Sequence, residues 1–151
     1  MQIKRLAHLG ITRRDAQLIQ LFVRGYGVEA WEIREELKAS IDADAASFNE
    51  VMAAFKTAKE HPEAQSEVDA ALKRATNVPL VVAERAREVG KILEGLRSIT
   101  NPKMASDITV GIALAGAAVE GALANVEINL ADLKDEAFVT AVRQRVAAVR
   151  A

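Results

Sequence analysis

Two aspartates, Asp42 and Asp44, lie in a stretch of the chain whose apolar residues recur at helical spacing. Asp44 falls between two positions of the apolar face, whereas Asp42 points to the opposite side, because each residue turns about 100° on a helix. The apolar face consists of Leu37, Ile41, Phe48, Val51 and Phe55. A lone ionised carboxylate on a packed face costs several kcal/mol unless it gains a partner or a proton. The pattern therefore predicts that Asp44 is a candidate for proton transfer.

A structural role for Asp44 is an open alternative at this point. A polar residue in an apolar helical seam can fix the register of an oligomer. It can also form an ion pair with an arginine of a neighbouring helix. Neither explanation requires catalysis, and the helical pattern alone does not separate them from a functional carboxylate.

The elements that position these aspartates are predicted to be helices. A helix ended by Gly25 and Gly27 precedes a long helix from about Val28 to Lys59. His61 and Pro62 close the long helix, because the residue before proline is pushed out of helical geometry.

The second half of the chain is predicted to form three more helical segments. The first begins near Ser66 and is interrupted at Asn77-Val78-Pro79, where we expect a kink or a fresh start because asparagine caps helices and proline is tolerated in a first turn. After a turn at Ile99–Lys103, an alanine- and glycine-rich helix begins with Ser106 as its cap and Asp107 in its first turn. The last helix runs from Asp135 to about Arg150, with Phe138, Val142, Val146 and Val149 inward.

The alanine- and glycine-rich helix presents a surface with little side-chain volume. Each glycine costs about 1 kcal/mol of helix stability relative to alanine, so its presence needs a compensating gain. The pattern favours close approach of another backbone, with space for a flat ligand as the alternative. Asn125 and Asn129 lie one turn apart on this helix, and as buried amides they need partners, either a neighbouring helix end or a ligand.

Composition excludes several classes of site. The 151 residues carry a net charge of −1 with acids and bases interspersed, unlike the basic face of a nucleic-acid-binding protein. There is no cysteine, and the two histidines are far apart, so thiol chemistry, disulfides and a zinc site are not predicted. The first ten residues lack the apolar run of a signal peptide, and the apolar run Val110–Leu123, broken by Glu120, is shorter than the about 20 residues that cross a bilayer. We therefore expect a cytoplasmic protein without membrane or nucleic-acid partners.

Four stretches of the chain together resemble one protein family. They are DADAASF at 42–48, ATNVPLVVAERA at 75–86, TNPKMASDITVG at 100–111, and ANVEINLADLKDEAF at 124–138. In this order and spacing they are similar to the formiminotetrahydrofolate cyclodeaminase and methenyltetrahydrofolate cyclohydrolase family. The chain departs from that family in lacking its N-terminal glycine-rich segment.

The resemblance implies a fold and a set of site residues. It implies a single all-α domain over residues 1–151, a multihelical bundle with long helices that forms an intertwined homodimer. Asp44 matches the family's proposed catalytic acid/base, which reinforces the independent argument from the helical face. Recurrent polar positions of the family, expected to bind substrate, match Asn101, Ser106, Asp107, Asn125 and Asn129.

The resemblance also implies an activity on a reduced folate, with no tightly bound cofactor and no metal. The predicted reaction is cyclodeamination of 5-formiminotetrahydrofolate to 5,10-methenyltetrahydrofolate and ammonia. A methenyltetrahydrofolate cyclohydrolase is the first alternative. A folate-binding relative that has lost catalysis, or a purely structural helical homodimer, is the second.

Overall fold

The structure is a computed structural model that describes the backbone of residues 13–151 and the side chains from Gly27 onward. Residues 13–151 contain four helices and no strand, which confirms the all-α prediction. The helices are α1 (Arg13–Glu60), α2 (Gln65–Leu96), α3 (Ala105–Ala131) and α4 (Glu136–Arg150). Short 3-10 turns, Pro62–Ala64 and Pro102–Met104, precede α2 and α3. The prediction about a signal peptide concerns residues outside the described range.

The chain divides into two compact units, with the boundary inside α1 between Glu35 and Glu36. The second unit, Glu36–Ala151, contains every predicted site residue, and the account below concerns this unit. The single-domain assignment stays a prediction.

Helix α1 is one continuous helix of 48 residues, so the prediction that Gly25 and Gly27 end a separate helix is wrong. Glycine ends a helix only where the backbone leaves the helical region, and within a helix it costs only about 1 kcal/mol. The predicted end at His61-Pro62 is confirmed, since α1 ends at Glu60.

Helix α2 passes through Pro79 without ending, so the predicted fresh start at Asn77 is also wrong. Proline has no N–H to donate to the carbonyl four residues earlier, which leaves the carbonyl of Ala75 without its helical donor. The side-chain amide of Asn129 on α3 donates to that carbonyl at 3.0 Å. The tertiary contact therefore replaces the lost helical bond.

Helices α2, α3 and α4 enclose the main apolar core. Leu80, Leu123 and Val126 have no solvent exposure, and Val142 is almost as fully buried. Helix α4 begins at its cap Asp135, whose carboxylate accepts from the Phe138 N–H at 3.0 Å. The predicted inward face of α4 is confirmed: Val142, Val146 and Val149 are buried and Phe138 packs against the core.

Helix α1 lies against α2 through a smaller core and two ion pairs. Ala54 packs with Val68, Ala71 and Leu72. Glu50 accepts from Arg74 at 2.7 Å, and Glu36 accepts from Arg85. Because the higher-numbered residue of α1 meets the lower-numbered residue of α2, the two helices run antiparallel.

The apolar stretch around α3 is longer than the sequence indicated. Pro102–Ala131, 30 residues, is long and apolar enough to cross a membrane by length and composition alone. The prediction that this segment is too short to span a bilayer is therefore wrong. Its inward side packs in the core, and 28% of its most apolar window is buried.

Candidate active site

Asp44 is exposed, although it lies three residues before Ser47 and seven before Val51, on the side of α1 that packs elsewhere. The packed side of this helix is formed by the buried Ser47 and Ala54, with Val51 half-buried. Phe48 is 63% exposed, although it lies on the face that the sequence predicted to be packed. That prediction is wrong for the single chain, because small residues, rather than the large ones, bring α1 close to α2.

The exposed side of α1 is nevertheless apolar and regular. We call it the α1 stripe; its spacings are four, three, four and three, and its residues are Ile41, Ala45, Phe48, Met52 and Phe55. Asp44 is one residue away from this stripe, between the turns of Ile41 and Phe48. The carboxylate is therefore bordered by apolar side chains and, among the residues whose side chains are described, it is open to water.

Helix α3 has a second exposed apolar line, which we call the α3 stripe. Its spacings are four, three, four, three and four, and its residues are Val110, Leu114, Ala117, Gly121, Ala124 and Ile128. The large residues lie at its ends and the small ones at its centre. Asn125 is exposed beside Ala124.

The glycines of α3 divide between its two sides. A Cβ built on Gly111 would lie 2.9 Å from Cδ1 of Leu93, so this glycine allows α2 and α3 to pack closely, as predicted. A Cβ built on Gly116 or Gly121 would meet nothing within 4 Å. Among the described residues, the close-packing explanation therefore holds for Gly111 and not for Gly116 or Gly121.

Contacts along α2 place Asp44 and Asn125 at the same level. Asp44 lies about midway between Glu36 and Glu50, whose partners are Arg85 and Arg74, and so is level with the region of Pro79 on α2. Asn129 contacts Ala75, and Gly90 faces Ala115, so α2 and α3 run antiparallel. Asn125, four residues before Asn129, is therefore level with Pro79, four residues after Ala75.

Asn129 has a structural contact in the chain. Its amide donates to the Ala75 carbonyl that Pro79 leaves without a helical donor. This is the neighbouring-helix alternative for the asparagine pair, and it accounts for Asn129. It does not account for Asn125, which is on the open side of the helix.

The other predicted polar residues lie at the opposite end of α3. Asn101 helps to line a cleft of about 310 Å³ at the junction of α2 and α3, and its side chain accepts from the Lys103 N–H at 3.0 Å. Arg97, Thr100, Pro102, Ala105, Ile108 and Thr109 form the rest of the wall. Asp107 lies in the first turn of α3, as predicted. Ser106 is not the cap, because α3 begins at Ala105 and Asn101 caps the preceding 3-10 turn instead.

The predicted site residues thus form two groups in the chain rather than one. Ser106 and Asn125 are separated by about 28 Å along α3, given a rise of about 1.5 Å per residue. The structure places Asp44 and Asn125 at one level of the bundle, and Asn101, Ser106 and Asp107 at another. The first group contains the predicted acid/base.

The sequence patterns did not predict the ion pairs that fix the position of α1 along α2 on either side of Asp44. Arg85 on α2 is half-buried and contacts both Glu88 and Glu36. Side-chain hydrogen bonds with Glu88 and Glu36 raise the pKa of Arg85. The signal that could have found the intrahelical part is the spacing of three between Arg85 and Glu88; the contact with Glu36 has no local signal.

Among the residues whose side chains are described, no group of three His, Asp or Glu residues is placed to hold a metal ion. The arrangement around Asp44 offers one carboxylate, apolar neighbours and, at the same level, one amide. A carboxylate in such surroundings can move a proton.

Comparison with known proteins gives a consistent result. The sequence profile of a family described as formiminotransferase-cyclodeaminase matches residues 4–148. The chain is 37% identical over 138 residues, 89% of its length, to formimidoyltransferase-cyclodeaminase of Gallus gallus, of which this match covers 26%. It is 36% identical to the protein of the same name from Sus scrofa, over 76% of this chain and 22% of that one. It is 31% identical to methenyltetrahydrofolate cyclohydrolase of Methylorubrum extorquens, over 82% of this chain and 59% of that protein.

The chain therefore spans about a quarter of the length of the vertebrate relatives it matches, and somewhat more than half of the bacterial one.

Proposed function

Because the chain belongs to the formiminotransferase-cyclodeaminase family, we propose that it is an enzyme of folate one-carbon metabolism that cyclodeaminates 5-formiminotetrahydrofolate. The vertebrate relatives at 36–37% identity carry the cyclodeaminase name, which supports this reaction over its alternatives. The structural observation that carries the proposal is the position of Asp44, a carboxylate bordered by apolar residues and level with Asn125.

In the proposed reaction Asp44 moves one proton between two nitrogens. N10 of the substrate attacks the carbon of the protonated formimino group, N5–CH=NH2+, whose π electrons move to its nitrogen, and the five-membered ring forms while the Asp44 carboxylate takes the N10 proton. The same carboxylic acid then gives that proton to the amino nitrogen, and the carbon–nitrogen bond breaks to release ammonia. The products are the methenyl compound and ammonia, and the reaction needs no oxidant or reductant.

Asp44 needs a cover that excludes water for this role, because a general acid–base catalyst works best when its proton affinity is raised toward the operating pH. The exposed apolar residues around it support a homodimer in which a second copy supplies the cover. We therefore extend the proposal to a homodimer acting on a reduced folate in the cytoplasm, with no tightly bound cofactor.

The direct test is turnover of Asp44→Asn, followed by the absorbance of the methenyl product. General acid–base catalysis contributes roughly 10²–10⁴-fold, so we expect turnover to fall by at least about a hundredfold. Asp42→Asn is the matched control, since it removes an exposed carboxylate two residues away on the other side of α1. Turnover that is equal in the two variants removes Asp44 from the mechanism.

A cyclohydrolase is the second candidate, favoured by the similarity to the Methylorubrum protein. In that reaction water adds to the methenyl carbon and the ring then opens. The two reactions are distinguished by the direction of the absorbance change: it rises when formiminotetrahydrofolate is supplied to a deaminase and falls when methenyltetrahydrofolate is supplied to a cyclohydrolase. Folate binding without either change indicates a non-catalytic binding protein, and neither binding nor turnover indicates a structural homodimer.

A further inference from the structure

We propose that the flat ring of the substrate lies in a groove of the single chain, between α1 and α3 with α2 as its floor, where Asp44 and Asn125 point toward each other from the two walls. The proposal rests on the function proposed above, which names the reaction and Asp44 but not the place of the ring. It makes Asn125 a second residue that contacts the substrate.

Asp44 is turned away from the ion pairs that join α1 to α2. At about 100° per residue, Asp44 lies about 80° round α1 from Glu36 and about 120° from Glu50, which both pair with arginines of α2. The buried Ser47 lies between these directions, on the packed side of α1. The ion pairs therefore border one edge of the contact with α2, and Asp44 borders the other edge.

The contacts around α2 give the order of its neighbours. Arg74 and Ala71 contact α1, through an ion pair and through apolar packing respectively. Gly90 faces α3, and Glu84 forms an ion pair with α4. Measured from Arg74 at about 100° per residue, these four residues lie at about 0°, 60°, 160° and 280° around α2. The edge of the α1 contact that lacks ion pairs is therefore nearer to α3, so Asp44 faces the space between α1 and α3.

Asn125 points into the same space from α3. Ala115 is the residue of α3 that faces Gly90 of α2, and Glu120 pairs with α4. At about 100° per residue, Glu120 lies about 140° from Ala115 in one direction round α3, and Asn125 lies about 80° in the other. Since α3 lies between α1 and α4 around α2, the side of α3 away from α4 is the side toward α1.

The groove has an apolar floor and a small residue beside its polar group. Val78 and Val82 of α2 are half-buried and lie at about 40° and 80° on the same scale, between the ion pairs and the α3 contact. On the α3 wall, a Cβ built on Gly121, one turn before Asn125, would meet nothing within 4 Å. The valines provide a surface for a flat ring, and the glycine leaves room for it beside the amide.

The polar groups of the groove match the edge of a folate ring. The carboxylate of Asp44 accepts hydrogen bonds, whereas the amide of Asn125 both donates and accepts them. Both side chains are exposed and level with each other along α2. A reduced pterin has N–H groups and a ring amide on its edge, so it can bond to both residues while its face rests on the valines.

Engineered cysteines test the groove without any use of activity, because the chain has no cysteine of its own. We expect a short bismaleimide to bridge Asp44→Cys/Asn125→Cys within one chain, which gives the mass of a single chain with one linker and no free thiol. Asp42→Cys/Asn125→Cys is the matched control and should not be bridged, because Asp42 lies about 160° round α1 from Asp44. Equal bridging of the two variants, no bridge in the first, or a bridge only between two chains overturns the proposal.

Leucine substitutions test whether the groove holds the ring. Gly121→Leu places a side chain in the groove, whereas Gly116→Leu adds the same side chain about 180° round α3 from Asn125, where a Cβ also meets nothing within 4 Å. We expect the binding of 5-formyltetrahydrofolate, measured by calorimetry, to weaken by about tenfold or more in Gly121→Leu, because overfilling a site is costly. Binding by Gly116→Leu should equal that of the wild type. Equal binding by the two variants overturns the proposal.

Kinetics separate a failure of the groove from a failure of the proposed function. Asn125→Ala should raise KM by about two- to tenfold, the range of one neutral hydrogen bond, with kcat nearly unchanged. An unchanged KM in a protein that turns over its substrate contradicts the contact with Asn125 and leaves the reaction standing. If the Gly121→Leu result holds but Asp44→Asn keeps full turnover, the groove stands and the proposed role of Asp44 falls. No binding of the folate by the wild type overturns both.

Discussion

Helix α3 has two apolar sides that differ in what covers them. On the inner side Leu123 and Val126 are fully buried against α2 and α4. On the outer side Leu114 and Ile128 are about two-thirds exposed, although they are as apolar as the inner residues. The comparison shows that an apolar helical period indicates a surface suited to burial. It does not tell whether the surface that buries it belongs to the same chain.

The sharpest test of this comparison replaces leucine on each side of α3. Leu123→Ala should lower the free energy of unfolding by about 2–5 kcal/mol, because it opens a cavity in the core. Leu114→Ala, the matched change on the outer side, should have little effect on the isolated chain and instead weaken the proposed homodimer. Chemical denaturation at several protein concentrations measures both. An equal, concentration-independent loss in the two variants would show that the outer side is covered within the chain.

The next largest loss of stability is expected from the hydrogen bond of Asn129, on the inner side of α3, to the Ala75 carbonyl. Asn129→Ala should cost about 1–3 kcal/mol, because the Ala75 carbonyl loses the donor that replaces the missing N–H of Pro79. In a Pro79→Ala background the helix supplies its own donor, so the cost of Asn129→Ala should become small. A double-mutant cycle in denaturant measures this coupling. No coupling would mean that Asn129 acts independently of the proline.

Replacing the packed or the open glycines of α3 by alanine should change the stability of the chain by a smaller amount. Gly116→Ala should stabilise the chain by about 0.5–1 kcal/mol, because alanine is the better helix former and the added Cβ meets nothing within 4 Å. Gly111→Ala should gain less or lose stability, because the end of Leu93 has to move away from the new Cβ. Denaturation at low protein concentration compares them. A larger gain at Gly111 than at Gly116 would contradict the close packing of α2 and α3.

The smallest change in stability is expected for the ion pair between Lys73 and Asp135, because solvent screens it at the edge of the core. The Lys73 ammonium, 2.6 Å from Asp135, and the Phe138 N–H hold the pKa of the Asp135 carboxyl below its usual range. A lowered pKa stabilises the folded state above the unfolded value of about 3.9, and this stabilisation is lost as pH falls through the lower folded value.

Asp135→Asn keeps a capping oxygen but removes the titration. The variant should therefore lose less stability than the wild type between about pH 4 and the folded pKa, as measured by thermal unfolding across pH. An unchanged pH profile would show that the pairing with Lys73 does not contribute to stability.

Local sequence signals predicted the ends of helices correctly where backbone chemistry within one turn decides where a helix starts or stops. His61-Pro62 ends α1, and Asp135 starts α4, because the missing N–H of proline and the carboxylate of an N-cap act within one helical turn. The same kind of signal failed at Gly25, Gly27 and Pro79, since these residues weaken a helix by amounts that tertiary contacts can offset. The resemblance to a family also identified Asp44 from sequence alone, and its role stays a prediction.

The tertiary structure decided which apolar residues are buried and which polar residues lie together. The sequence predicted that Phe48 faces the packed side of α1, but the side with the smaller residues Ser47, Val51 and Ala54 packs there because it permits a closer approach to α2. Asn125 and Asp44 are 81 positions apart in the sequence, and only the contacts along α2 bring them to one level. Burial depends on which surfaces meet, and that is a property of distant segments which a local helical period does not contain.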